Sequence, residues 1–311
     1  MVYSDIALKT LALKEKINPS LASFWKDYSS EKQLCDAIPD DITVLEQFYH
    51  ELLDRLENEY VDGFICVFDD AFPVIKQVDK KNDRPYLLFY KGNISLLNEA
   101  DRNVAVIGLI DPTEEIAERE KRVVAKLVSE GNIIISGLAK GCDTIAHREC
   151  LNSGGKTIAI LPSQIGKIFP AENRALAEEI VDNGGLLLTE YYKDAAERYA
   201  AVNRFSERDR LQAMLSKAVV MIASYMKGEG DSGSRYAMEV AERFGVERFV
   251  LFNRNTDITN PRFGLNSYYV LPGHPEGKEK KVKALVLVTN SIYYITQLKR
   301  DTEIQDSFFS I

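Results

Sequence analysis

The chain has 311 residues, of which 45% are hydrophobic and 28% charged, and its formal net charge is −8 at pH 7. This length makes one large domain or two, and the hydrophobic content excludes global disorder. The acidic balance excludes a protein that coats nucleic acid with a strongly basic surface, although it leaves room for a local basic pocket.

The cysteines, the histidines and the apolar runs narrow the class of protein further. Four cysteines (Cys35, Cys66, Cys142 and Cys150) form no CxxC pair, and only three histidines are present, so we expect no metal and no cofactor. The N-terminus lacks the basic and apolar segments of a signal peptide. No apolar run approaches the roughly 18–20 residues of a membrane helix. We therefore expect a cytoplasmic protein without membrane contact.

Residues 1–60 are predicted to form a small helical module. Its first segment carries an apolar stripe at helical spacing, made of Leu8, Leu11, Leu13, Ile17, Leu21 and Phe24. The second segment, "ITVLEQFYHELLDRL", repeats apolar residues at three and four. This pattern fits either a surface that binds a partner or a cap over the hydrophobic core. Next, "GFICVFDDAFP" and "RPYLLFYKGN" each predict a strand that ends in a turn.

From residue 103 onward, short apolar runs alternate with amphipathic segments. The predicted strands are "VAVIG", "IIIS", "TIAILP", "LLLTE", "AVVMIAS" and "RFVLF". The predicted helices are "DPTEEIAEREKRVVAKLVSEG", "DTIAHRECLNS", "AENRALAEEIVDNGG", "ERDRLQAMLS" and "SGSRYAMEVAERFG". In the first of these helices we expect Asp111 as N-cap, Pro112 at the first helical position and Glu114 completing a capping box.

This alternation predicts an α/β fold with a doubly wound, mainly parallel Rossmann-like sheet. We expect the sheet domain at residues 61–311, with its core at about 100–255 and a closing segment at 256–300. Ligands bind such sheets beyond the carboxyl ends of the strands. The glycine- and serine-rich segments of the chain follow predicted strands, so their residues are the candidates for a binding site.

The segment "SGLAKGCDT", residues 136–144, has the features of an anion site. Glycines allow close approach to the backbone, a helix N-terminus carries partial positive charge, and Lys140 adds a full charge. The candidate ligand residues are Gly108, Ser136, Gly137, Lys140, Gly141, Asp143, His147, Arg208, Arg210, Ser232, Gly233 and Ser234. Neither a P-loop nor GxGxxG is present, and a purely structural strand–helix turn has the same spacing.

No catalytic arrangement can be assembled from residue spacing. His147 fits a ligand or proton-transfer role, but a lone histidine on an apolar helix is also a common structural group. Glu190 and Glu239 are two carboxylates among 47 acidic residues and carry no special signal. We therefore assign no catalytic residue.

The block "SGLAKGCDTIAHRECLNSGGKTIAILPSQIGKIFPAENRALAEEIVDNGGLLLTEY" resembles the core of the DNA-processing protein A family, also called Smf. Downstream, "DSGSRYAMEVAERFGVERFVLF" is similar to the family's SGS helix and the strand that follows it. The resemblance covers about residues 65 to 298. The chain continues only a short way past Leu298, so the family's usual C-terminal winged helix is not expected.

The resemblance implies a Rossmann-like fold related to the cytokinin-activating LOG proteins. It implies that single-stranded DNA binds in a pocket at the strand ends, that the protein forms a homodimer, and that it hands the strand to the recombinase RecA. It also implies a binding protein rather than an enzyme, whereas the LOG relatives are phosphoribohydrolases.

Several positions depart from the family pattern and reduce positive charge. The first loop, usually Gly-Ser-Arg, is Gly108-Leu109-Ile110. Arg208 and Arg210 are retained, but Asp209 stands where the family has asparagine. After the SGS motif, Thr-Ala-Arg becomes Ala237-Met238-Glu239. Fewer phosphate contacts should weaken binding of single-stranded DNA.

Two principal hypotheses remain open at this point. In the first, the chain holds single-stranded DNA and acts in DNA recombination or uptake, with bases stacked on aromatic residues such as Tyr191, Tyr192, Tyr199 and Phe205. Packing inside the protein is an equal alternative for those aromatics. In the second, the pocket holds a small nucleotide-derived ligand, as a sensor or an N-glycosidase. A third possibility is a relative retained for protein contacts through the helical module.

Overall fold

The computed structural model describes residues 1–75, 83–230, 233–271, 282–285 and 289–299, with backbone only for 282–285 and 289–291. Four helices come first: α1 (Asp5–Lys16), α2 (Leu21–Asp27), α3 (Glu31–Ala37) and α4 (Ile42–Asn58). Each begins at a Ser or Asp whose side chain accepts a backbone N–H of the first turn, which fixes where it starts. The helical prediction for this segment is confirmed.

The rest of the described chain builds one sheet of nine strands. The strands are β1 (Gly63–Cys66), β2 (Leu87–Gly92), β3 (Asn103–Ile107), β4 (Ile133–Ser136), β5 (Thr157–Ile160), β6 (Leu186–Thr189), β7 (Ala218–Met221), β8 (Glu247–Leu251) and β9 (Val282–Leu285). Their order is β1-β2-β6-β5-β4-β3-β7-β8-β9. From β6 to β9 the neighbours are parallel, while β2 is antiparallel to both β1 and β6. The predicted doubly wound, mainly parallel α/β fold is confirmed.

Within the described ranges, seven further helices connect and cover these strands. They are α5 (Glu114–Ser129), α6 (Cys142–Asn152), α7 (Arg174–Asp182), α8 (Arg198–Met214), α9 (Ser234–Arg243), α10 (Gly264–Val270) and α11 (Thr289–Gln297). Short 3₁₀ turns lie at Ile94–Asn98, Ala171–Asn173 and Pro261–Phe263.

The central strands bury side chains on both faces, and the buried residues form two cores. One contains consecutive residues of β3 and β7 and therefore lies on both faces of the sheet there. The other lies on a single face at β2, β5 and β6. In β6, Leu186 and Leu188 belong to one core and Leu187 to the other. The second core also contains apolar residues of α1–α4, such as Leu8, Leu11 and Leu45. The N-terminal helices therefore pack on the sheet instead of standing apart from it.

Three details of the sequence-based prediction are wrong. Helix α5 begins at Glu114 with Thr113 as N-cap, since the Thr113 hydroxyl accepts the N–H of Ile116; Asp111 and Pro112 precede the helix. Helix α8 begins at Arg198, well before the predicted start at Glu207. Ile17, placed on the apolar stripe, is 48% exposed because it lies at the C-cap, beyond the last turn of α1.

The order of the strands creates a topological switch point beside β3. The chain proceeds outward from β3 through β4, β5 and β6, and then returns to β7 on the other side of β3. The loops after β3 and β7 consequently leave the sheet in opposite directions and open a crevice between them. In open α/β sheets, ligands bind at this position.

Candidate ligand-binding cleft

A small cleft, partly open to solvent, lies at this switch point. Four separate chain segments line it: the end of β3, the loop that leads into α6, one face of α8 and the start of α9. The lining residues are Ile107, Gly108, Ile110, Ala139, Lys140, Asp143, Arg208, Asp209, Gln212, Ser234 and Ala237. Five of the residues predicted from sequence are thus brought together: Gly108, Lys140, Asp143, Arg208 and Ser234.

Arg208 is the central charge of the cleft. Its Nη1 lies 3.2 Å from Oδ2 of Asp143, and its Nε lies 3.2 Å from Oδ1 of Asp209. The side chain is nearly buried, so these ion pairs are poorly screened by solvent. Because two carboxylates lie beside one guanidinium, the net charge in the interior of the cleft is close to zero or negative.

The loop before α6 is held by hydrogen bonds within the protein. Asp143, in the first turn of α6, accepts the N–H of Ala139 at 3.2 Å, and the Asn173 amide donates to the Leu138 carbonyl at 2.9 Å. Gly141, the N-cap of α6, has φ +70°. A side chain there would also collide with the Leu109 carbonyl, 2.3 Å from an added Cβ. Gly141 therefore shapes the loop.

Lys140 projects from the rim of the cleft. Its Nζ lies 2.9 Å from Oε2 of Glu172, and both side chains are 58% exposed. An exposed pair of this kind contributes little to stability. Lys140 can therefore exchange its carboxylate partner for an anion in the cleft at small cost.

The second helix N-terminus at the cleft is that of α9. Its N-cap, Gly233, has φ +83°, and Ser234 begins the helix and lines the cleft. The Ser234 hydroxyl donates to the Gly108 carbonyl at 3.4 Å, which links the loops after β3 and β7. Ser232, also a predicted ligand residue, lies outside the described residues.

Six of the predicted ligand residues that the structure describes do not line the cleft: Ser136, Gly137, Gly141, His147, Arg210 and Gly233. Ser136 is fully buried and donates its hydroxyl to the Val106 carbonyl at 2.7 Å, joining β4 to β3. His147 is fully buried, with Nδ1 2.7 Å from Oγ1 of Thr157. Burial lowers the pKa of His147 to about 4, so its ring is neutral at pH 7. Gly137 lies behind Arg208 and does not itself line the cleft.

Arg210 faces away from the cleft although it is only two residues from Arg208. It makes two hydrogen bonds to Glu190, at 2.6 and 2.7 Å, and its Nε donates to the Asp83 carbonyl at 2.9 Å. The side chain is 3% exposed. This contact ties α8 to the end of β6, and the sequence-based expectation that Arg210 meets phosphate receives no geometric support.

Sequence reasoning had not assigned Asp209 or Gln212 to the site. Gln212 follows Arg208 by four residues, so the two share a helix face, and this spacing was the available signal. The Gln212 amide donates to Oδ1 of Asp209 at 3.0 Å. Burial raises the pKa of Asp209 to about 7; Arg208 opposes that rise, and Asp143 adds to it.

The aromatic residues proposed to stack bases lie elsewhere. Tyr192 is buried, Tyr191 donates its hydroxyl to Glu207, and Tyr199 is 74% exposed. Phe205 packs edge-on against Phe169, with ring centroids 5.5 Å apart. None of these side chains lines the cleft.

No helix in the described ranges combines the length and apolar character that crossing a bilayer requires. Within the same residues, no three His, Cys, Asp or Glu side chains are grouped as metal ligands would be.

The fold and the cleft define a class: a doubly wound, Rossmann-like α/β protein with a ligand-type crevice at the switch point of its sheet. Comparison with known families then identifies which one. Residues 63–261 match the model of DNA recombination-mediator protein A, and the chain belongs to that family.

Individual relatives show how far the similarity extends. The DNA processing protein DprA of Streptococcus pneumoniae is 34% identical over 185 residues, which are 60% of this chain and 61% of that protein. The aligned part thus spans about three fifths of that relative. The solved structure of the same protein has a TM-score of 0.61 at 25% identity, and the match covers 95% of this chain and 94% of the other.

A second solved structure is of DNA processing protein A from Helicobacter pylori and concerns its single-stranded DNA binding mode. It matches with a TM-score of 0.58 and 25% identity, over 76% of this chain and 97% of that one.

Proposed function

We propose that this chain binds single-stranded DNA in the switch-point cleft and acts in DNA recombination or uptake. The observation that carries the proposal is the position of Arg208, a nearly buried guanidinium between the N-termini of α6 and α9. Helix N-termini and arginine are the groups with which proteins bind phosphate. The family membership and the DNA-binding relative from Helicobacter pylori support the same function.

The cleft suits one or two phosphates of a strand, not a long basic track. Among the described residues that line it, Arg208 and Lys140 are cations, and Asp143 and Asp209 are anions. Ile110 occupies the place of the family's arginine and is 59% exposed at the cleft. We therefore expect weak binding with a shallow dependence on salt.

A titration of a fluorescent oligo-dT of about 15 nucleotides tests the proposal. Fluorescence anisotropy at about 50 mM and about 200 mM salt gives Kd and its salt slope, and we expect a slope near −0.7 for each phosphate neutralised. A blunt DNA duplex of the same length serves as the competitor. Absence of any binding at micromolar protein in low salt would remove this function.

Assembly and delivery are part of the same proposal. From the family resemblance, we propose a homodimer that passes the strand to RecA in the cytoplasm. Sedimentation of the purified chain with and without oligo-dT would show the dimer. A pull-down with purified RecA would test the contact, and loss of RecA retention in every condition would exclude it.

A small nucleotide-derived ligand is the second candidate, and the balance of charges in the cleft favours it. A thermal-shift screen that sets nucleoside monophosphates and NAD beside oligo-dT separates the two ligands. Chromatography of the incubated nucleotides would reveal hydrolysis by an N-glycosidase. Unchanged nucleotides without a thermal shift would exclude this candidate.

A further inference from the structure

The carboxylate of Asp209 occupies a position that suits a bound anion. Its Oδ1 lies 3.2 Å from Nε of Arg208 and accepts the Gln212 amide at 3.0 Å. Its Oδ2 lies beside the N-cap of α9, only 2.8 Å from where a Cβ on Gly233 would stand. A guanidinium and a helix N-terminus are the groups that bind a ligand phosphate, and here an internal carboxylate pairs with the first and lies beside the second.

We propose that Asp209 competes internally with the ligand anion, so that a DNA strand enters the cleft with uptake of one proton at this carboxyl group. The inference rests on the proposed function and deepens it by naming how the same site is regulated. The family's asparagine at this position cannot carry a negative charge. Asp209 therefore makes binding in this chain depend on pH.

The surroundings of Asp209 place its titration near neutrality. Burial raises the pKa of Asp209 to about 7; Arg208 on the same helix opposes that rise, and Asp143 on α6 adds to it. Lys140 lies at the rim of the cleft, paired with Glu172. The other described lining residues from the β3 loop and from α9, Gly108, Ile110, Ser234 and Ala237, are uncharged.

The cleft offers Asp209 a hydrogen-bond partner in both of its protonation states. The ionised carboxylate accepts from the Gln212 amide nitrogen. Oε1 of Gln212, a residue 2% exposed, has no hydrogen-bond partner within the described part of the chain. A half-turn of that amide would present Oε1 to the O–H of the protonated acid. Protonation then leaves Arg208 with one carboxylate partner, Asp143, and with an edge available to phosphate.

The test compares oligo-dT binding by the wild-type chain and Asp209→Asn at about pH 6 and about pH 8 at constant ionic strength. If only the protonated form binds, wild-type Kd rises about tenfold across this interval. Asp209→Asn is expected to bind independently of pH and, at the higher pH, about tenfold more tightly than wild type. Asp182→Asn, an exposed acid at the end of α7, is the matched control and should follow wild type.

Calorimetry on the wild-type chain gives a second readout that needs no variant. At about pH 7, in two buffers that differ in ionisation enthalpy, binding should take up about half a proton per strand. Binding without proton uptake, or pH dependence retained in Asp209→Asn, would overturn the inference and leave DNA binding standing. Failure of every variant to bind at either pH would instead overturn the proposed function, and this inference with it.

Discussion

The guanidinium of Arg208 occupies the space that a side chain at position 137 would need: a Cβ on Gly137 would lie 0.9 Å from Nη1 and 2.1 Å from Cζ of Arg208. The glycine that directly follows β4 therefore makes room for the central cation of the cleft. Within the family-like segment, its role follows from the packing of an arginine that comes about 70 residues later in the chain.

Gly137→Ala should displace the guanidinium. We expect a loss of about 1–3 kcal/mol in the free energy of unfolding and a more than tenfold weaker Kd for oligo-dT, measured by urea titration and anisotropy. Gly154→Ala is the control, because a Cβ there meets nothing within 4 Å and only its φ of +73° is strained. That control should cost about 1 kcal/mol and leave Kd unchanged. Equal Kd values for both variants would contradict the packing role.

Lys140→Ala should weaken strand binding through the loss of one phosphate contact. We expect Kd to rise about three- to tenfold at low salt and the salt slope to shrink by about 0.7. Lys16→Ala is the matched control, since Lys16 also forms an exposed ion pair, 2.8 Å from Asp40. An unchanged salt slope in Lys140→Ala would show that this lysine does not meet phosphate.

Asp209 should make the folded state less stable as pH rises. Its pKa in the folded chain, about 7, lies above the ordinary value of 3.8, so between these values the folded state holds a proton that the unfolded state has lost. The stabilising contribution of Asp209 is therefore complete at pH values below the ordinary pKa. It falls as pH rises, until pH exceeds the pKa of the folded state. Asp209→Asn should raise the free energy of unfolding at about pH 8 by roughly 2–4 kcal/mol and change little at about pH 4. Urea titration at both values measures this, and a gain of equal size at both would contradict the assignment.

Glu190→Ala should destabilise the chain without affecting the cleft. It leaves Arg210 buried without its carboxylate, which costs about 3–5 kcal/mol. Anisotropy with oligo-dT at a temperature where the variant is folded should give the wild-type Kd. Glu239→Ala, which removes a half-exposed partner of Arg235, should cost at most about 1 kcal/mol. A large change of Kd in Glu190→Ala would instead show that Arg210 contributes to ligand binding.

Leu11→Ala tests whether residues 1–60 fold as a separate module. Leu11 is fully buried in the core shared by α1 and the sheet, so we propose that both melt together. The variant should lose about 2–5 kcal/mol in a single transition seen by circular dichroism and tryptophan fluorescence alike. Val44→Ala, at a position 53% exposed on α4, is the control with little expected effect. Two separate transitions would support an independent module.

The sequence predicted β1 to β8 well because these strands are short apolar runs whose residues are mostly buried, as in Ile133–Ser136. It did not predict β9. It placed the start of α5 wrongly because Asp111 and Thr113 are both good caps and only the fold decides between them. The first half of α8 mixes apolar and polar residues without a periodic apolar stripe, so it carried no helical signal.

The site was harder to predict than the fold because its charged side chains pair with residues that are distant in the sequence. Arg208 and Arg210 are equivalent in composition, yet one turns to Asp143 and the other to Glu190. Residues two apart on a helix point in nearly opposite directions, but which direction meets the cleft depends on the packing of α8. The sequence marks the glycine loops and leaves these pairings undecided.

The hydrogen bonds that Asn173 makes around the loop before α6 have a kinetic consequence. Its two amide N–H groups are shared among the carbonyls of Leu138 and Ala139 and the hydroxyl of Thr144, so the segment is braced before any ligand arrives. A braced surface has little conformational entropy left to lose on association. Encounter with a strand should then proceed in one step, its rate set by diffusion and the local field and not by loop closure.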